Sequence, residues 1–406
     1  MQSLSNQQLL QAAQQFGTPL YVYDANKITE QYQKLKSAFH KPNTKFFYAC
    51  KALTNIHILQ HIKSIGCNID CSSINEVKLA LNAGFESKNI LYTSNGIHFN
   101  EIEEAISLGV NITIDSISNL KKFATTYENN YPVSIRIRPD IMGGGNINIS
   151  TGHDNSKFGI PITRIHDILH IMKEHPLHVT GLHIHTGSDI EDINVFIQGI
   201  EVLFEILPHF PNLKFLDLGS GFKVKYKEDD KATDIELLAK KIYEDFNNHP
   251  AAKDVEIWFE PGKFLVSECG YLLTTVNVMK QNNEANFVGV DTGFNHLIRP
   301  MFYGAYHQIK NLSNPTGEKE MYTVVGNLCE TDTFATDRAI ETTTEDDILC
   351  FYNAGAYGFE MSSNFNSRCK PAEVLFKNNE FTLIRRRDTF DDLIKNQINL
   401  STAQKL

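Results

Sequence analysis

FFYACKA, at residues 46–52, is the first of eight short apolar runs that alternate with longer amphipathic segments. Such runs, rich in β-branched and aromatic residues, are typical of parallel strands buried on both faces, and the segments between them have helical periodicity. The runs are residues 46–52, 67–73, 90–95, 112–116, 133–139, 181–187, 215–221 and 256–262. Eight βα units in series predict an α/β fold in which a parallel sheet closes into a TIM barrel.

The pattern changes after the eighth run, where alternating apolar and polar residues replace the βα repeat. YLLTTVNVM at residues 271–279 and EFTLIRR at 380–386 are examples, and Asn378-Asn379 is a two-residue hairpin turn signal. The apolar run 20–23 precedes the barrel and is expected to join this second sheet. The sequence therefore predicts a second, all-β structure in the C-terminal part of the chain.

The change of pattern divides the chain into two predicted domains, as its length of 406 residues also suggests. A TIM barrel is expected over residues 25–265. An all-β domain, sandwich-like or barrel-like, is expected over residues 266–406 with a strand from residues 1–24. The glycine-rich segment 142–148 is expected to be a mobile loop.

Composition narrows the classes of partner. A net charge of -10 with scattered acidic residues gives no basic face for nucleic acid or anionic lipid. No apolar run is long enough to span a bilayer, the N-terminal residues lack an apolar signal-peptide core, and the seven cysteines are scattered as reduced thiols usually are. We therefore expect a cytoplasmic protein whose partners are small molecules or a second copy of itself.

Polar residues are concentrated at the carboxyl ends of the predicted barrel strands, where TIM barrels carry their catalytic groups. In strand order these residues are Lys51, Asp70, Arg136, Arg138, His183, His185, Gly219, Ser220, Gly221 and Glu260. Taken singly, each is as often a solvated loop residue as a functional one. Because all of them are expected around one rim, chance explains the set poorly.

Lys51 and the glycines suggest a cofactor. A lysine in a barrel mouth is costly to desolvate as a cation, which lowers its pKa and makes the neutral amine available for a Schiff base. Gly219-Ser220-Gly221 and Gly262 follow the last two strands, where TIM barrels bind phosphate through backbone amides. A lysine together with a phosphate site predicts pyridoxal 5'-phosphate.

Neighbouring residues have properties that such a cofactor needs. A carboxylate at Glu260 would keep the pyridine nitrogen protonated, so that the ring accepts the electrons released at the substrate α-carbon. His185 would lie flat against the ring, and Ser188 would reach the phosphate. We expect the rim residues Asp70 and Arg136 to line the same cofactor site.

A metal site is the main alternative for the sixth strand. His183-Ile-His185 would place two imidazoles on one face of a strand, as in metal-dependent hydrolases. The further histidine and aspartate ligands of that pattern are not found at the later strand ends, so we predict no metal. His183 is expected to be a packed core histidine.

Six motifs come in the order typical of one enzyme family. They are YACKA around Lys51, HTGS from His185, EPG from Glu260, LIRPMFYGAYH from Leu297, CETD from Cys329 and NAGAYG from Asn353. From about Thr18 to Arg387 the chain resembles the diaminopimelate decarboxylases, of the alanine-racemase-like class of pyridoxal-phosphate enzymes. The resemblance implies conversion of meso-2,6-diaminopimelate to L-lysine and carbon dioxide, the last step of lysine biosynthesis, by a homodimer with shared active sites.

The resemblance also implies roles for single residues. Those implied to hold the phosphate are Ser188, Gly221, Tyr357 and the segment 260–263. Those implied to bind the substrate are Lys263, Arg299, Tyr303, Glu330 and Tyr357. Cys329, reaching the partner subunit's site, is implied as the proton donor, with Lys51 as the other candidate.

Charge supports the same substrate. Diaminopimelate differs from lysine by a second carboxylate, which Arg299 can bind bidentately while Glu330 binds the distal ammonium. A decarboxylase of ornithine or lysine would offer this arginine no anion, and its unpaired burial would cost several kcal/mol. The arginine therefore favours diaminopimelate.

Three positions depart from the family pattern: Lys263 replaces an arginine, Ser220 interrupts a triple glycine, and Thr186 replaces an apolar residue. An ammonium lacks the bidentate fork of a guanidinium, which weakens the expected contact of Lys263 with phosphate or carboxylate. The alternatives are a related basic amino-acid decarboxylase, a racemase with a second base facing Lys51, and a non-catalytic pyridoxal-phosphate-binding protein.

Overall fold

The computed structural model describes residues 3–141, 156–282 and 285–398, so the glycine-rich segment 142–148 lies outside the described residues. The chain forms two compact units. The barrel unit comprises Ile28–Val266, and the sheet unit comprises Met1–Lys27 with Ser267–Leu406. Among the described residues, no helix is both long enough and apolar enough to cross a membrane.

The N-terminal segment contains α1 (Asn6–Phe16), β1 (Leu20–Asp24) and α2 (Ala25–Ala38). A capping box starts α1, because Gln8 N donates to Ser5 Oγ at 3.2 Å and Ser5 N donates to Gln8 Oε1 at 2.9 Å. Leu9 from the buried face of this helix packs with Leu20 and Val22 in the core of the sheet unit.

Eight parallel strands form the wall of the barrel unit. They are β2 (Thr44–Ala49), β3 (Asn68–Cys71), β4 (Ile90–Thr93), β5 (Asn111–Ile114), β6 (Val133–Arg138), β8 (Val179–His183), β9 (Phe215–Asp217) and β10 (Glu256–Phe259), and the short β7 (Ile160–Pro161) pairs beside β6. Each wall strand pairs with the next one along the chain, and β10 pairs with β2, so the sheet closes. The predicted TIM barrel is confirmed.

Helices follow the barrel strands along the chain. They are α3 (Ile56–Ser64), α4 (Ile74–Asn82), α5 (Phe99–Ser107), α6 (Ile117–Tyr127), α7 (Ile165–Glu174), α8 (Asn194–Ile206), α9 (Ile235–Asn248) and α10 (Lys263–Val266). Ser73 caps α4 by accepting a hydrogen bond from Glu76 N at 3.2 Å. Gly84 and Gly109 follow α4 and α5 with φ of 91° and 74°, the left-handed conformation that commonly ends a helix.

A glycine makes room for an aromatic cluster in the barrel unit. Phe47, Leu91, Phe215 and Trp258, from four strands, are buried together, and the rings of Phe215 and Trp258 stack 3.5 Å apart. A Cβ at Gly181 would lie 2.2 Å from Cζ of Phe215. Glycine is therefore the residue that fits beside the stack.

The sheet unit contains one nine-stranded mixed sheet. Besides β1, its strands are β11 (Gly270–Gln281), β12 (Asn286–Val290), β13 (Ile309–Asn311), β14 (Lys319–Val325), β15 (Thr333–Glu341), β16 (Ile348–Phe351), β17 (Ala372–Lys377) and β18 (Glu380–Arg385), and its further helices are α11 (Arg299–Tyr303) and α12 (Phe390–Ile394). The order is β15-β14-β12-β11-β1-β17-β18, with β16 pairing to β11 and β13.

The strands predicted for the sheet unit are confirmed, and β1 pairs with both β11 and β17 as expected of a strand in this sheet. Asn378 and Asn379, with φ of 54° and 64°, form the predicted turn between β17 and β18. The sequence pattern did not indicate β13, which has only three residues, or β15, in which the polar residues 336–338 interrupt the apolar run.

Candidate active site

Lys51 lies just beyond the end of its strand. β2 ends at Ala49, and Lys51 belongs to a single 3-10 turn, Cys50–Ala52, with 42% of its side chain exposed. The expectation of a desolvated lysine on a rigid strand is therefore wrong, because the chain leaves strand geometry before this residue. Nζ of Lys51 lies 3.4 Å from Oδ2 of Asp70 on β3, so the amine is held beside a carboxyl group.

Asp70 is fully buried, and its other oxygen accepts a hydrogen bond from the hydroxyl of Thr93. Burial raises the pKa of Asp70 to about 7, and the charge of Glu260 adds to the rise while that of Lys51 opposes it. A carboxyl group with this pKa gains and loses its proton near neutral pH. Asp70 is therefore suited to exchange a proton with the amine of Lys51.

Glu260 directly follows β10 and forms a buried cluster with His183 and Asp217, the last residues of β8 and β9. One atom from each side chain lies within 4.8 Å of the other two. Oε2 of Glu260 is 3.4 Å from Nε2 of His183, whereas Oε1 is buried and has no hydrogen-bond partner among the described residues. The cluster thus offers an unsatisfied acceptor.

One carboxyl group of this cluster carries the charge. Burial alone would raise the pKa of Glu260, but the contact with His183 and the charge of Lys51 outweigh it and lower the pKa to about 2. Burial, together with the charge of Glu260, raises the pKa of Asp217 well above its ordinary value. Because two carboxylates this close cannot both ionise, Glu260 is the anion and Asp217 keeps its proton.

Arg136 and His185 add to the electrostatics of this region. Arg136, on β6, is buried with its guanidinium 4.8 Å from the ring centroid of Phe158. Burial, followed by the charge of Arg136, lowers the pKa of His185 to about 3. The imidazole of His185 is therefore neutral, and its Nδ1 accepts a hydrogen bond from Ser220 N at 3.3 Å.

Gly219 and Gly221 let two loops approach each other closely. Their φ values are 61° and 116°, and a Cβ would lie 2.6 Å from Nδ1 of His185 at Gly219 and 2.2 Å from the carbonyl oxygen of Gly187 at Gly221. Ser220 between them is buried and accepts from Gly221 N through Oγ at 2.5 Å. This segment therefore holds His185 and the loop that follows it.

Ser188 and Lys263 are connected through Asp189. Ser188 is half-buried, and Asp189 next to it places Oδ2 2.6 Å from Nζ of the buried Lys263. Gly262, the residue before Lys263, packs closely, since a Cβ there would lie 3.2 Å from that of Ala49. The predicted cation at residue 263 is thus already engaged by a carboxylate of the barrel unit.

The predicted placement of His183 and His185 on one strand is wrong. β8 ends at His183, and His185 lies in the loop beyond it, where Ser220 engages its ring. The metal alternative required both imidazoles on one strand face, so its premise fails. His183 is buried as expected, but it contacts Glu260 and therefore belongs to the candidate site.

In the sheet unit, Arg299 begins α11 and is buried. Its Nη1 lies 3.3 Å from Nε2 of His307, whose Nδ1 lies 2.8 Å from the carbonyl oxygen of Tyr352. A guanidinium can only donate, so Nε2 of His307 is the acceptor in this contact, and Nδ1 donates to the carbonyl. His307 therefore holds Arg299 in a fixed direction.

Cys329 and Glu330 are exposed on the sheet unit. Asn366 contacts Cys329 twice, since its Oδ1 accepts from Cys329 N at 2.8 Å and its Nδ2 donates to Sγ at 3.0 Å. Tyr303 and Tyr357 are half-buried, and Tyr357 has a φ of 57°. The thiol is thus positioned by one amide side chain and remains open to solvent.

Three residues of the barrel site were not indicated by the sequence, namely Asp217, Thr93 and Asp189. Asp217 had a usable signal, because an acidic residue inside the apolar run FLDLGSG must be compensated when the strand is buried. Thr93 and Asp189 are ordinary residue types for a strand end and a loop. Their partners in the fold are distant in sequence, so no local pattern points to them.

Comparison with known proteins defines the class. Residues 25–267 match the family model described as pyridoxal-dependent decarboxylase, pyridoxal binding domain. The matched range contains every barrel residue of the candidate site, from Lys51 to Lys263. The chain therefore belongs to the pyridoxal-dependent decarboxylases.

Individual relatives are more specific. The diaminopimelate decarboxylase of Methanothermobacter thermautotrophicus is 36% identical over 400 residues, which cover 96% of this chain and 93% of the relative. The Helicobacter pylori diaminopimelate decarboxylase complexed with L-lysine has a TM-score of 0.86 at 30% identity, over 96% of this chain and 98% of that one. The M. jannaschii enzyme in co-complex with L-lysine has a TM-score of 0.88 at 30% identity, over 97% and 95%. Within its class, the chain belongs to the diaminopimelate decarboxylase family.

Proposed function

We propose that the chain decarboxylates meso-2,6-diaminopimelate to L-lysine and carbon dioxide, the last step of lysine biosynthesis from diaminopimelate, with pyridoxal 5'-phosphate as cofactor. The observation that carries this proposal is the buried anion of Glu260, with its unsatisfied Oε1, in the same barrel as the Lys51–Asp70 pair. Membership of the family supports the substrate. The seven free cysteines support a cytoplasmic location, because disulfides are rare there.

The barrel residues fit this cofactor. A protonated ring nitrogen is a donor, and Oε1 of Glu260 is a buried acceptor that lacks one. Lys51 would bind the aldehyde carbon, the neutral ring of His185 would lie against the pyridine, and Ser188 with the backbone of the Gly219–Gly221 segment would hold the phosphate. When bound, pyridoxal phosphate supplies an aldehyde that condenses with amines and a ring that takes up the electrons of the broken bond.

The remaining barrel residues manage protons and charge. Lys51 must lose a proton before its amine can form a covalent bond, and Asp70, with its pKa near 7, accepts and returns that proton over 3.4 Å. The negative charge of Glu260 would keep the ring nitrogen protonated. Asp217 keeps its proton beside Glu260, because burial and the charge of that carboxylate raise the pKa of Asp217, so no second negative charge develops in the cluster.

Residues of the sheet unit are proposed to bind the substrate. Arg299 would bind the distal carboxylate of diaminopimelate in a bidentate manner, and the fixed direction given by His307 favours that geometry. Glu330 would bind the distal ammonium. Tyr303 and Tyr357 would add further contacts to the substrate. In the barrel unit, Lys263 would bind an oxyanion of the substrate or of the cofactor.

A homodimer is part of the proposal, with each subunit lending Cys329 and Glu330 to the other's site. The exposure of Cys329 supports it, because a proton donor to a carbanion works best when water is excluded. Met301 and Phe302 on α11 are 44% and 59% exposed, which is typical of a surface that another chain covers. Cys329 would then deliver the proton to the α-carbon.

The reaction is tested with the purified, cofactor-supplemented protein. We expect carbon dioxide and L-lysine in equal amounts from meso-diaminopimelate, and no release from L-lysine, L-ornithine or L-arginine. Borohydride should fix a pyridoxyl group on residue 51 of the native chain and none in Lys51→Ala. Racemised amino acid without carbon dioxide would replace the decarboxylase proposal with a racemase.

Shared sites are tested by subunit mixing. Lys51→Ala and Cys329→Ala proteins, each inactive alone, should regain about a quarter of the native activity when random reassortment gives mixed dimers with one intact site. Each variant taken separately through the same dissociation and reassembly is the control. Mixed dimers that form but stay inactive would contradict a site built from two subunits.

A further inference from the structure

Lys263 and Asp189 form a largely buried ion pair at the position where the sequence lacks the expected family arginine. Nζ of Lys263 is 2.6 Å from Oδ2 of Asp189, and the exposed fractions of the two side chains are 9% and 28%. An ammonium is a compact point charge, whereas a guanidinium offers a fork of donors that can serve two oxyanions at once. Lys263 paired with Asp189 is therefore less able to bind a second oxyanion at the same time than an arginine would be.

Asp189 lies where the two loops of the proposed phosphate site meet. It follows Gly187 and Ser188, and the next residue, Ile190, donates its N–H to the carbonyl oxygen of Gly221 at 2.8 Å. The carbonyl oxygen of Gly187 is so close to Gly221 that a Cβ there would lie 2.2 Å from it. The carboxylate is thus built into the contact between these loops.

The second oxygen of Asp189 adds an independent observation. Oδ1 is buried and has no hydrogen-bond partner in the described ranges, so the carboxylate is compensated mainly by Lys263. A carboxylate only accepts hydrogen bonds, and a second anion brought next to it is repelled. An oxyanion that binds Lys263 must therefore displace or share the contact with Asp189.

We propose that Asp189 competes with the incoming oxyanion for Lys263 and so weakens the hold of this part of the site on that anion. The anion is the phosphate of the cofactor or a carboxylate of the substrate, and the inference rests on the proposed function that supplies both. Asp189 is a positioning residue in this account, since it acts through Lys263.

Asp189→Asn tests the competition with little change in shape. Asp189 has a φ of 58°, a left-handed conformation that asparagine adopts as readily as aspartate, so the loop is expected to keep its backbone. The variant removes the charge and leaves Lys263 to the oxyanion. We expect the affinity for that oxyanion to rise about tenfold, which corresponds to about 1.4 kcal/mol.

Two measurements distinguish the anions. Dissociation constants of pyridoxal 5'-phosphate and of pyridoxal, measured on the full-length chain stripped of cofactor, give a ratio that isolates the phosphate. KM for meso-diaminopimelate on the loaded enzyme reports the substrate carboxylates. A tenfold tighter hold on the phosphate, or a tenfold lower KM, supports the proposal and identifies the anion. Unchanged or weaker binding by both measures overturns it.

Glu191→Gln is the matched control. It removes one negative charge from the same loop, but Glu191 pairs with Lys223 at 3.1 Å and not with Lys263. Both quantities should stay within about twofold of the native values, as for an exposed ion pair. In a Lys263→Met background the effect of Asp189→Asn should shrink to that of the control, and a full effect there would mean that general charge, not competition, is responsible.

The two proposals fail in different ways. A native protein that does not bind pyridoxal phosphate would contradict the proposed function itself. A native protein that binds the cofactor and decarboxylates diaminopimelate, but whose phosphate ratio and KM are insensitive to Asp189→Asn, would contradict only the role of Asp189.

Discussion

The carboxyl cluster of the barrel unit and the Cys329 loop of the sheet unit differ in how far the fold prepares them for chemistry. Asp70, Asp217 and Glu260 are less than a tenth exposed, and their protonation states are set by their mutual positions. Cys329 and Glu330 are exposed, and the contacts of Cys329 come from the side chain of Asn366.

The difference shows which catalytic groups have their protonation state set within one chain and which depend on a second chain. Burial raises the pKa of Asp217, whereas the contact with His183 and the charge of Lys51 lower that of Glu260, so the barrel residues are prepared within one chain. The exposed thiol of Cys329 is not shielded from water by its own chain, so its environment depends on the molecule that covers it. A partner subunit is the proposed cover, and variants on the two sides should therefore fail in different ways.

Among the variants proposed, Glu260→Gln, in the barrel cluster, should have the largest effect on activity. Glutamine keeps the shape but cannot keep a ring nitrogen protonated, so kcat is expected to fall by roughly 10³-fold, the upper range for removing a group aimed at developing charge. The measurement is the initial rate of carbon dioxide release at saturating substrate and cofactor.

Glu256→Gln serves as the control for this variant. Glu256 begins the same strand and pairs with Lys45 at 2.8 Å, away from the cluster. Its kcat should stay near the native value. A Glu260→Gln enzyme whose kcat is within about fivefold of native would show that the charge of Glu260 is not needed in the transition state.

Arg299→Met should act on substrate binding with a smaller effect. If Arg299 holds the distal carboxylate, KM for meso-diaminopimelate is expected to rise roughly 10²-fold, as for truncation of one partner in a buried charge pair. The inhibition constant of L-lysine, which lacks that carboxylate, should change little. Arg386→Met, at an exposed arginine paired with Asp392, is the control. Equal losses for diaminopimelate and lysine would indicate a role in folding.

The fold could be predicted in most detail where strands are self-contained. Each buried parallel strand of the barrel is a short apolar run bounded by turns, so all eight were found, although Lys51, His185 and Glu260 lie just past the ends of their strands. β15 was not predicted because its residues give no clear strand pattern, since Thr336, Asp337 and Ala339 are exposed; it forms by pairing with β14.

The candidate site divides in the same way. The rule that catalytic groups follow barrel strands pointed to Lys51 and Glu260 from the sequence alone, and their roles stay predictions. It could not reveal the Lys263–Asp189 pair, whose members are separated by 74 positions and meet only in the folded chain. The exposure of Lys51 also escaped it, because one 3-10 turn decides that and no residue pattern marks the turn.

Asp70→Asn should show how much the burial of this carboxyl group lowers the free energy of unfolding at neutral pH. Its pKa of about 7 in the fold lies above the 3.8 of an aspartate in an unfolded chain, so the folded state binds the proton more tightly than the unfolded state does. The stability from Asp70 is therefore fully present below pH 3.8 and is lost as the pH rises through 7. Asparagine does not ionise and avoids this loss.

The expected result is a free energy of unfolding that rises for Asp70→Asn relative to the native chain between pH 5 and pH 8, by on the order of 2 kcal/mol. Urea titrations of the cofactor-free proteins at the two pH values measure it. Asp167→Asn, at an exposed residue paired with Arg164, should show no such difference. A constant difference between Asp70→Asn and the native chain would mean that Asp70 stays ionised in the fold.

Ser220→Gly restores the triple glycine of the family and should have the smallest effect. Ser220 Oγ accepts the N–H of Gly221 at 2.5 Å, so the variant loses this hydrogen bond and gains backbone freedom, and the free energy of unfolding is expected to fall by about 1 kcal/mol. The backbone amides of the segment remain, so kcat should stay within about twofold of native. Ser188→Gly, in the facing loop, is the matched comparison, because its hydroxyl is proposed to touch the phosphate and its loss should weaken cofactor binding. If instead Ser220→Gly lowers kcat by tenfold or more, the hydroxyl of Ser220 takes part in the reaction. The barrel site would then depend on this side chain as well as on the backbone amides of the segment.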